Sequence, residues 1–129
     1  MKFTRKPLSI ALLSLALAGA AFSEGVDVDG DLMRDIDDTA KSLDSDVAQK
    51  DAKAAATAAR TLVETFAKVE SHYGQKAETA DAVGFAHHTQ ELAAQALKAI
   101  EANDFDAASE AVNELTRSCK TCHNVYKKD

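Results

Sequence analysis

Apolar residues recur three and four positions apart in four stretches of this chain of 129 residues, the spacing of one face of an α-helix. No run alternates apolar and polar residues as a half-buried strand does, and the only proline is Pro7. The sequence therefore predicts an all-α fold with helices at about residues 31–48, 51–73, 79–102 and 105–127. Because only a few residues join one helix to the next, we expect an up-down-up-down antiparallel four-helix bundle.

Each predicted helix has one face that we expect to lie in the core. Many of these inward positions are alanine, so the bundle either packs tightly or leaves room for another group. Asp29 or Asp31 is predicted to cap the first helix, Asn103 or Asp104 to cap the last, and Gly74 to end the second. The predicted inward residues are Leu32, Ile36, Ala40, Leu43, Val47, Ala55, Ala58, Leu62, Phe66, Val69, Tyr73, Phe85, Leu92, Ala96, Ile100, Ala108, Ala111 or Val112, Leu115, Cys119 and Cys122.

The N-terminal segment has the features of a secretory signal peptide. Three basic residues precede an uncharged, largely apolar run at positions 8–21, and small residues occupy the −3 and −1 positions of a cleavage site after Ser23. The run is shorter than the roughly 20 residues of a membrane-spanning helix. We predict a cleaved signal peptide at residues 1–23, with cleavage after Ala20 as the alternative, and a helical domain at residues 24–129.

Removal of this leader would leave an acidic protein. Its remaining residues include twelve Lys and Arg against 21 Asp and Glu, a formal net charge of −9. Such a surface repels nucleic acid and anionic lipid and favours a basic protein partner. We therefore expect neither a nucleic-acid partner nor a membrane span.

The sequence Cys119-Lys120-Thr121-Cys122-His123 is the most specific functional pattern, and it contains both cysteines of the chain. On a helix, positions i, i+3 and i+4 share one face. Both thiols could therefore form thioethers with the vinyl groups of one haem while His123 reaches the iron. The pattern is typical of a c-type haem attachment site and predicts one covalently bound haem c per chain.

Three other roles are conceivable for the cysteine pair. A thioredoxin-like dithiol would need a βαβ context, which the sequence lacks. A zinc site would need a fourth ligand and usually a second Cys/His pair; His72, His87 and His88 could supply one ligand, but the pattern matches no familiar zinc module. A structural disulfide would close a very small loop and stabilise little.

Met33 is the predicted ligand on the other side of the iron. It lies in the first turn of the first helix, which this topology places beside the end of the last helix. A thioether opposite a histidine is a common arrangement in cytochromes. His72 is the main rival ligand, whereas His87 and His88 lie deeper along the third helix. Ordinary core packing is the alternative role for Met33.

These motifs resemble the class II c-type cytochromes, the cytochrome c-prime family. The haem motif followed by Tyr126-Lys127 looks like the end of that family, and residues 103–108 match the turn into its last helix. The stretch Leu32-Met33-Arg34-Asp35 looks like the start of its low-spin members, whose methionine is an iron ligand. Chain length and short loops are also similar to the soluble periplasmic four-helix cytochromes b. The resemblance implies that Ile36 and Phe85 touch the haem.

The resemblance implies a periplasmic one-electron carrier that meets redox partner proteins with basic docking surfaces. The alternative is a five-coordinate haem protein that senses or scavenges nitric oxide or carbon monoxide, which requires that Met33 does not bind the iron. Two departures from the family argue against it: the first two helices lack the usual glycine- and proline-bearing loop, and the segment at 74–78 is contracted. No residue pair suggests acid–base or nucleophilic catalysis, so no enzyme activity is predicted. Bundles of this family often pair, and a homodimer stays open.

Overall fold

The computed structural model describes residues 27–76 and 78–126, and it folds them into four helices without a strand in these ranges. The helices are α1 (Gly30–Ala48), α2 (Ala52–Gly74), α3 (Ala80–Glu101) and α4 (Phe105–Tyr126). Every end lies within one residue of its predicted position, so the all-α prediction is confirmed. The predicted signal peptide, its cleavage site and Lys127 lie outside the described residues.

The helices form a closed ring in chain order. Each helix packs on the next one along the chain, and α4 returns to pack on α1. The contact between α2 and α3 is the most extensive, and the contact between α1 and α4 is the smallest of the four. This arrangement confirms the predicted up-down-up-down bundle, with its loosest seam between the first and last helices.

Aspartate side chains cap the N-termini of α1 and α4, for each of which the sequence offers two candidates. The carboxylate of Asp29, rather than that of Asp31, accepts hydrogen bonds from two backbone N–H groups in the first turn of α1, at 3.1 and 2.8 Å. Asp104 accepts one from the first turn of α4 at 3.0 Å, while Asn103 takes a left-handed backbone conformation (φ 56°) in the turn before it. Gly74 ends α2 as predicted. Each cap satisfies amide groups that have no partner within the helix.

Small side chains let the helices approach closely. Alanine supplies half of the buried apolar residues, and the largest fully buried side chains are Leu43, Leu62, Ile100 and Leu115. Most predicted inward residues are buried. The exceptions are half-buried, and most of them belong to the end of the bundle where α1 begins and α4 ends: Leu32, Ala40, Tyr73, Phe85, Cys119 and Cys122. The interior is therefore closed in its middle and more open at that end.

The outer faces carry the charged residues. Arg60 on α2 forms an ion pair of 2.8 Å with Glu101 on α3. His87 on α3 has one ring nitrogen 3.3 Å from the carboxylate of Glu70 on α2 and the other 3.4 Å from that of Glu91. Of the helices in the described ranges, none is long and apolar enough to cross a membrane.

Candidate functional site

The cysteine-containing motif lies at the open end of the bundle. Because neighbouring helices are antiparallel, the starts of α1 and α3 meet the ends of α2 and α4 there. Cys119, Cys122 and His123 occupy the last two turns of α4. The first turn of α1 and the second turn of α3 bring Met33 and Phe85 to the same end. The fold thus gathers the predicted site residues from three helices, although α4 alone supplies both thiols and the imidazole.

The two cysteines are free thiols on the inner side of α4, and both are half-buried. Burial raises the pKa of Cys119 to about 11, and the negative charges of Cys122 and Asp37 add to the effect. Burial also raises the pKa of Cys122. At neutral pH both groups therefore keep their protons, and they are poor nucleophiles compared with an activated cysteine.

His123 follows Cys122 directly and lies one turn beyond Cys119, on the same side of α4. Its side chain is exposed at the end of the bundle. An imidazole at this position is accessible to a group that is attached through the two neighbouring thiols.

Asp37 relates the level of α1 to that of α4. Its carboxylate lies close enough to Cys119 to act on the thiol electrostatically. The two helices are antiparallel, so the turn of α1 before Asp37 and the turn of α4 after Cys119 both lie toward the same end of the bundle. Met33, one turn before Asp37, and His123, one turn after Cys119, therefore lie at the same end of the bundle. Met33 is half-buried and packs against the core.

The two residues predicted to touch a haem differ in burial. Ile36 is 5% exposed and belongs to the core, three positions after Met33 in α1. Phe85 is half-buried in the second turn of α3. Both lie in the second turn of their helices, at the end of the bundle that carries the motif.

The three rival histidines lie in different surroundings. His72 is half-buried near the end of α2, with its ring edge-on to Tyr73 at 5.2 Å between centroids. His87 and His88 are exposed on α3, and His87 faces two glutamates as described above. His72 is therefore the only one of the three at the end of the bundle that carries the motif.

Sequence reasoning missed a buried pair of hydroxyl side chains next to the motif. Thr89 on α3 and Ser118 on α4 are buried, and their oxygens lie 2.6 Å apart. One signal was available: Ser118 lies three positions after Leu115 and four before Cys122, so it continues the inner face of α4. Thr89 had the same signal, since it lies four positions after Phe85 and three before Leu92, which are both predicted to face inward.

The donor set suits a c-type haem. Two protonated thiols on one helix face can each add to a vinyl group, and an imidazole from the next residue can bind the iron. The half-buried apolar residues at this end would supply surface to cover the ring. Within residues 27–76 and 78–126, no group of three or more His, Cys, Asp or Glu side chains is arranged to hold a metal ion by itself.

Comparison with known proteins agrees with this geometry. A family model described as cytochrome C′ matches residues 20–127, which include all four helices and the motif. Searches of curated proteins and of solved structures each found no significant match.

Proposed function

The chain belongs to the cytochrome c′ family, and on that premise we propose that it is a periplasmic one-electron carrier. Its haem c would be bound covalently through Cys119 and Cys122, with His123 and Met33 as the axial ligands. The family comprises haem c proteins that carry electrons or bind gases. The observation that supports the proposal is that the first turn of α1, which contains Met33, and the last turns of α4, which contain the motif, lie at the same end of the bundle.

Cys119 and Cys122 would hold the cofactor. In each case the sulfur would bond to one carbon of a vinyl group and the thiol hydrogen would end on the neighbouring carbon, so that no oxidant would be consumed. The raised pKa values of both thiols keep that hydrogen in place at neutral pH. Attachment at two points three residues apart would hold the ring against the inner face of α4.

His123 and Met33 would fill both axial positions. His123 would bind with one ring nitrogen and donate the other N–H to a carbonyl or water, which fixes its tautomer. When bound, haem supplies the ferrous–ferric couple of the carrier. Ile36 and Phe85 would exclude water from the ring and lower the local dielectric, which disfavours the more highly charged ferric state.

Charge would select the redox partner. If the predicted signal peptide is removed, the protein has a net charge of −9. A partner with a basic docking surface would be drawn to it, with an association rate that falls as ionic strength rises.

Gas binding is the second candidate function. The family match supports it as well as electron transfer. The packing of Met33 against the core also favours it, because a Met33 that stays there would leave one side of the iron open. The two functions therefore differ in a single bond, between the iron and Met33.

Intact-mass analysis of the exported protein tests attachment and processing together. We expect one haem mass added to a chain that begins at Glu24. A colourless protein with two alkylatable thiols would refute haem binding. A coloured protein that still begins at Met1 would refute export by the predicted leader only.

Carbon monoxide separates the two functions. A carrier with Met33 on the iron should bind it slowly and weakly in the reduced state and should show a near-infrared thioether-to-iron band in the ferric state. Rapid, tight binding with a large Soret shift would favour the gas-binding alternative.

A further inference from the structure

Two hydroxyl side chains are buried in an otherwise apolar interior. Thr89 is 2% exposed and Ser118 is 7% exposed, and no other polar side chain in the described part of the chain is buried. Their oxygens are 2.6 Å apart, so the pair links α3 to α4. Neither residue belongs to the set proposed above to hold haem.

The donor and the acceptor of the hydrogen bond between Ser118 and Thr89 can be assigned. The Thr89 hydroxyl is also 2.7 Å from the backbone carbonyl oxygen of Phe85. A carbonyl oxygen only accepts, so Thr89 donates its single hydroxyl proton to Phe85, and Ser118 then donates to Thr89. A hydrogen-bonded chain therefore runs from Ser118 through Thr89 to Phe85. No buried side-chain polar atom of the described residues is left without a partner.

Both ends of this series of hydrogen bonds lie next to the proposed haem site. Ser118 directly precedes Cys119, and Phe85 lies one turn before Thr89. The position of α4 depends mainly on α3, because the contact of α4 with α1 is smaller than its contact with α3. The hydroxyl pair is thus placed where a shift of α4 would move the cysteine-containing turns.

The pair specifies a register more than it adds stability. Burying two hydroxyl groups offsets most of the free energy that their hydrogen bond returns. If α4 moved by one residue along α3, or rotated by the equivalent angle, both hydroxyls would face apolar side chains without partners. Buried polar groups are best attested in this role of selecting one alignment between helices.

We infer that Ser118 and Thr89 are positioning residues, which set the level and rotation of residues 119–123 against α3 and thereby keep His123 aligned with Met33. The inference rests on the proposed function, since it concerns the group that this turn would bind. Neither residue is required to touch the haem.

A matched pair of substitutions at one position tests it in the full-length haem-loaded protein. Thr89→Val keeps the shape and removes the hydroxyl, whereas Thr89→Ser keeps the hydroxyl and removes a methyl group. We expect Thr89→Val to weaken the near-infrared thioether band and to raise the carbon monoxide affinity of the reduced protein about fivefold, the equivalent of one buried hydrogen bond. Thr89→Ser should stay within about twofold of the unmodified protein.

Two further variants keep the test decisive. If Thr89→Val yields no haem protein, Ser118→Ala replaces it, because Thr89 then keeps its bond to Phe85 and no buried donor is stranded. Ile100→Val removes a buried methyl group in the core at the far end of α3, where Ile100 is 1% exposed. It should lower stability without moving either spectroscopic signal.

The outcomes separate the positioning role from plain packing. An unchanged affinity in Thr89→Val, or an equal change in Thr89→Ser or Ile100→Val, would overturn the inference. A missing thioether band in the unmodified protein would instead overturn Met33 ligation. In that case carbon monoxide has no methionine to displace, and amide hydrogen exchange in residues 119–123 decides the positioning role: Thr89→Val should speed it, whereas Thr89→Ser should not.

Discussion

The ring of Tyr73, in the last turn of α2, lies 6.0 Å from the ring of Tyr126 at the end of α4, with 42° between the planes. These helices are diagonal in the bundle, so the pair connects them across the end that carries the motif. The Lys76 ammonium lies 5.7 Å from the Tyr73 ring centroid. Burial raises the pKa of Tyr73, and the charges of Cys122 and Tyr126 add to it.

We expect this aromatic pair to hold the last turn of α4 in place. Tyr73→Leu should speed amide hydrogen exchange in that turn and lower the free energy of unfolding by about 0.5–1.5 kcal/mol, the usual contribution of such a pair. Tyr73→Phe keeps the ring and should resemble the unmodified protein. Equal exchange rates in Tyr73→Leu and the unmodified protein would show that the rings do not hold the helix end.

Substitution of Met33 tests the iron ligand directly. In Met33→Ala the near-infrared thioether band should vanish while the haem stays attached, and carbon monoxide should bind faster to the reduced protein. Leu32→Ala is the matched control, because Leu32 is a half-buried neighbour in the same turn and also packs against the core. A band that survives in Met33→Ala, or that is lost equally in Leu32→Ala, would remove Met33 from the ligand set.

The pKa values of the thiols predict an order of reaction with alkylating agents. In the chain produced without its leader and without haem, iodoacetamide should modify Cys122 before Cys119. The rate at Cys119 should rise about tenfold per pH unit up to about pH 11, because only the thiolate reacts. Mass spectrometry of the digested protein measures both rates. In concentrated urea the two rates should converge, and similar rates in the folded chain would contradict the burial of Cys119.

The alanine-rich core makes its few large side chains important for stability. Leu62 is fully buried in α2, and Leu62→Ala should lower the free energy of unfolding by about 2–5 kcal/mol. Leu97→Ala makes the same change at a half-buried position of α3 and should cost roughly half as much or less. Urea unfolding followed by circular dichroism compares the two. Equal losses of unfolding free energy would mean that neighbouring side chains fill the cavity that Leu62→Ala leaves.

Much of the fold follows from local patterns. Helical spacing, short connections and the aspartates before α1 and α4 predict the four helices because each of these signals acts within one or two turns of chain. The motif is local too: its two thiols and imidazole share a face on any helix, whatever the helix packs against. For the same reason the sequence alone indicated which end of the bundle would hold them.

Contacts between helices were decided only by the tertiary structure. Thr89 and Ser118 are separated by 29 positions along the chain, and their bond depends on the rotation and level of two helices. The apolar pattern of each helix defines its inner face, but it fixes the position of one helix along the other only to within about one turn. The same holds for Tyr73 against Tyr126 and for Asp37 near Cys119. A polar residue in a sequence therefore shows its chemistry, whereas its burial and its partner are known only once the helices are packed.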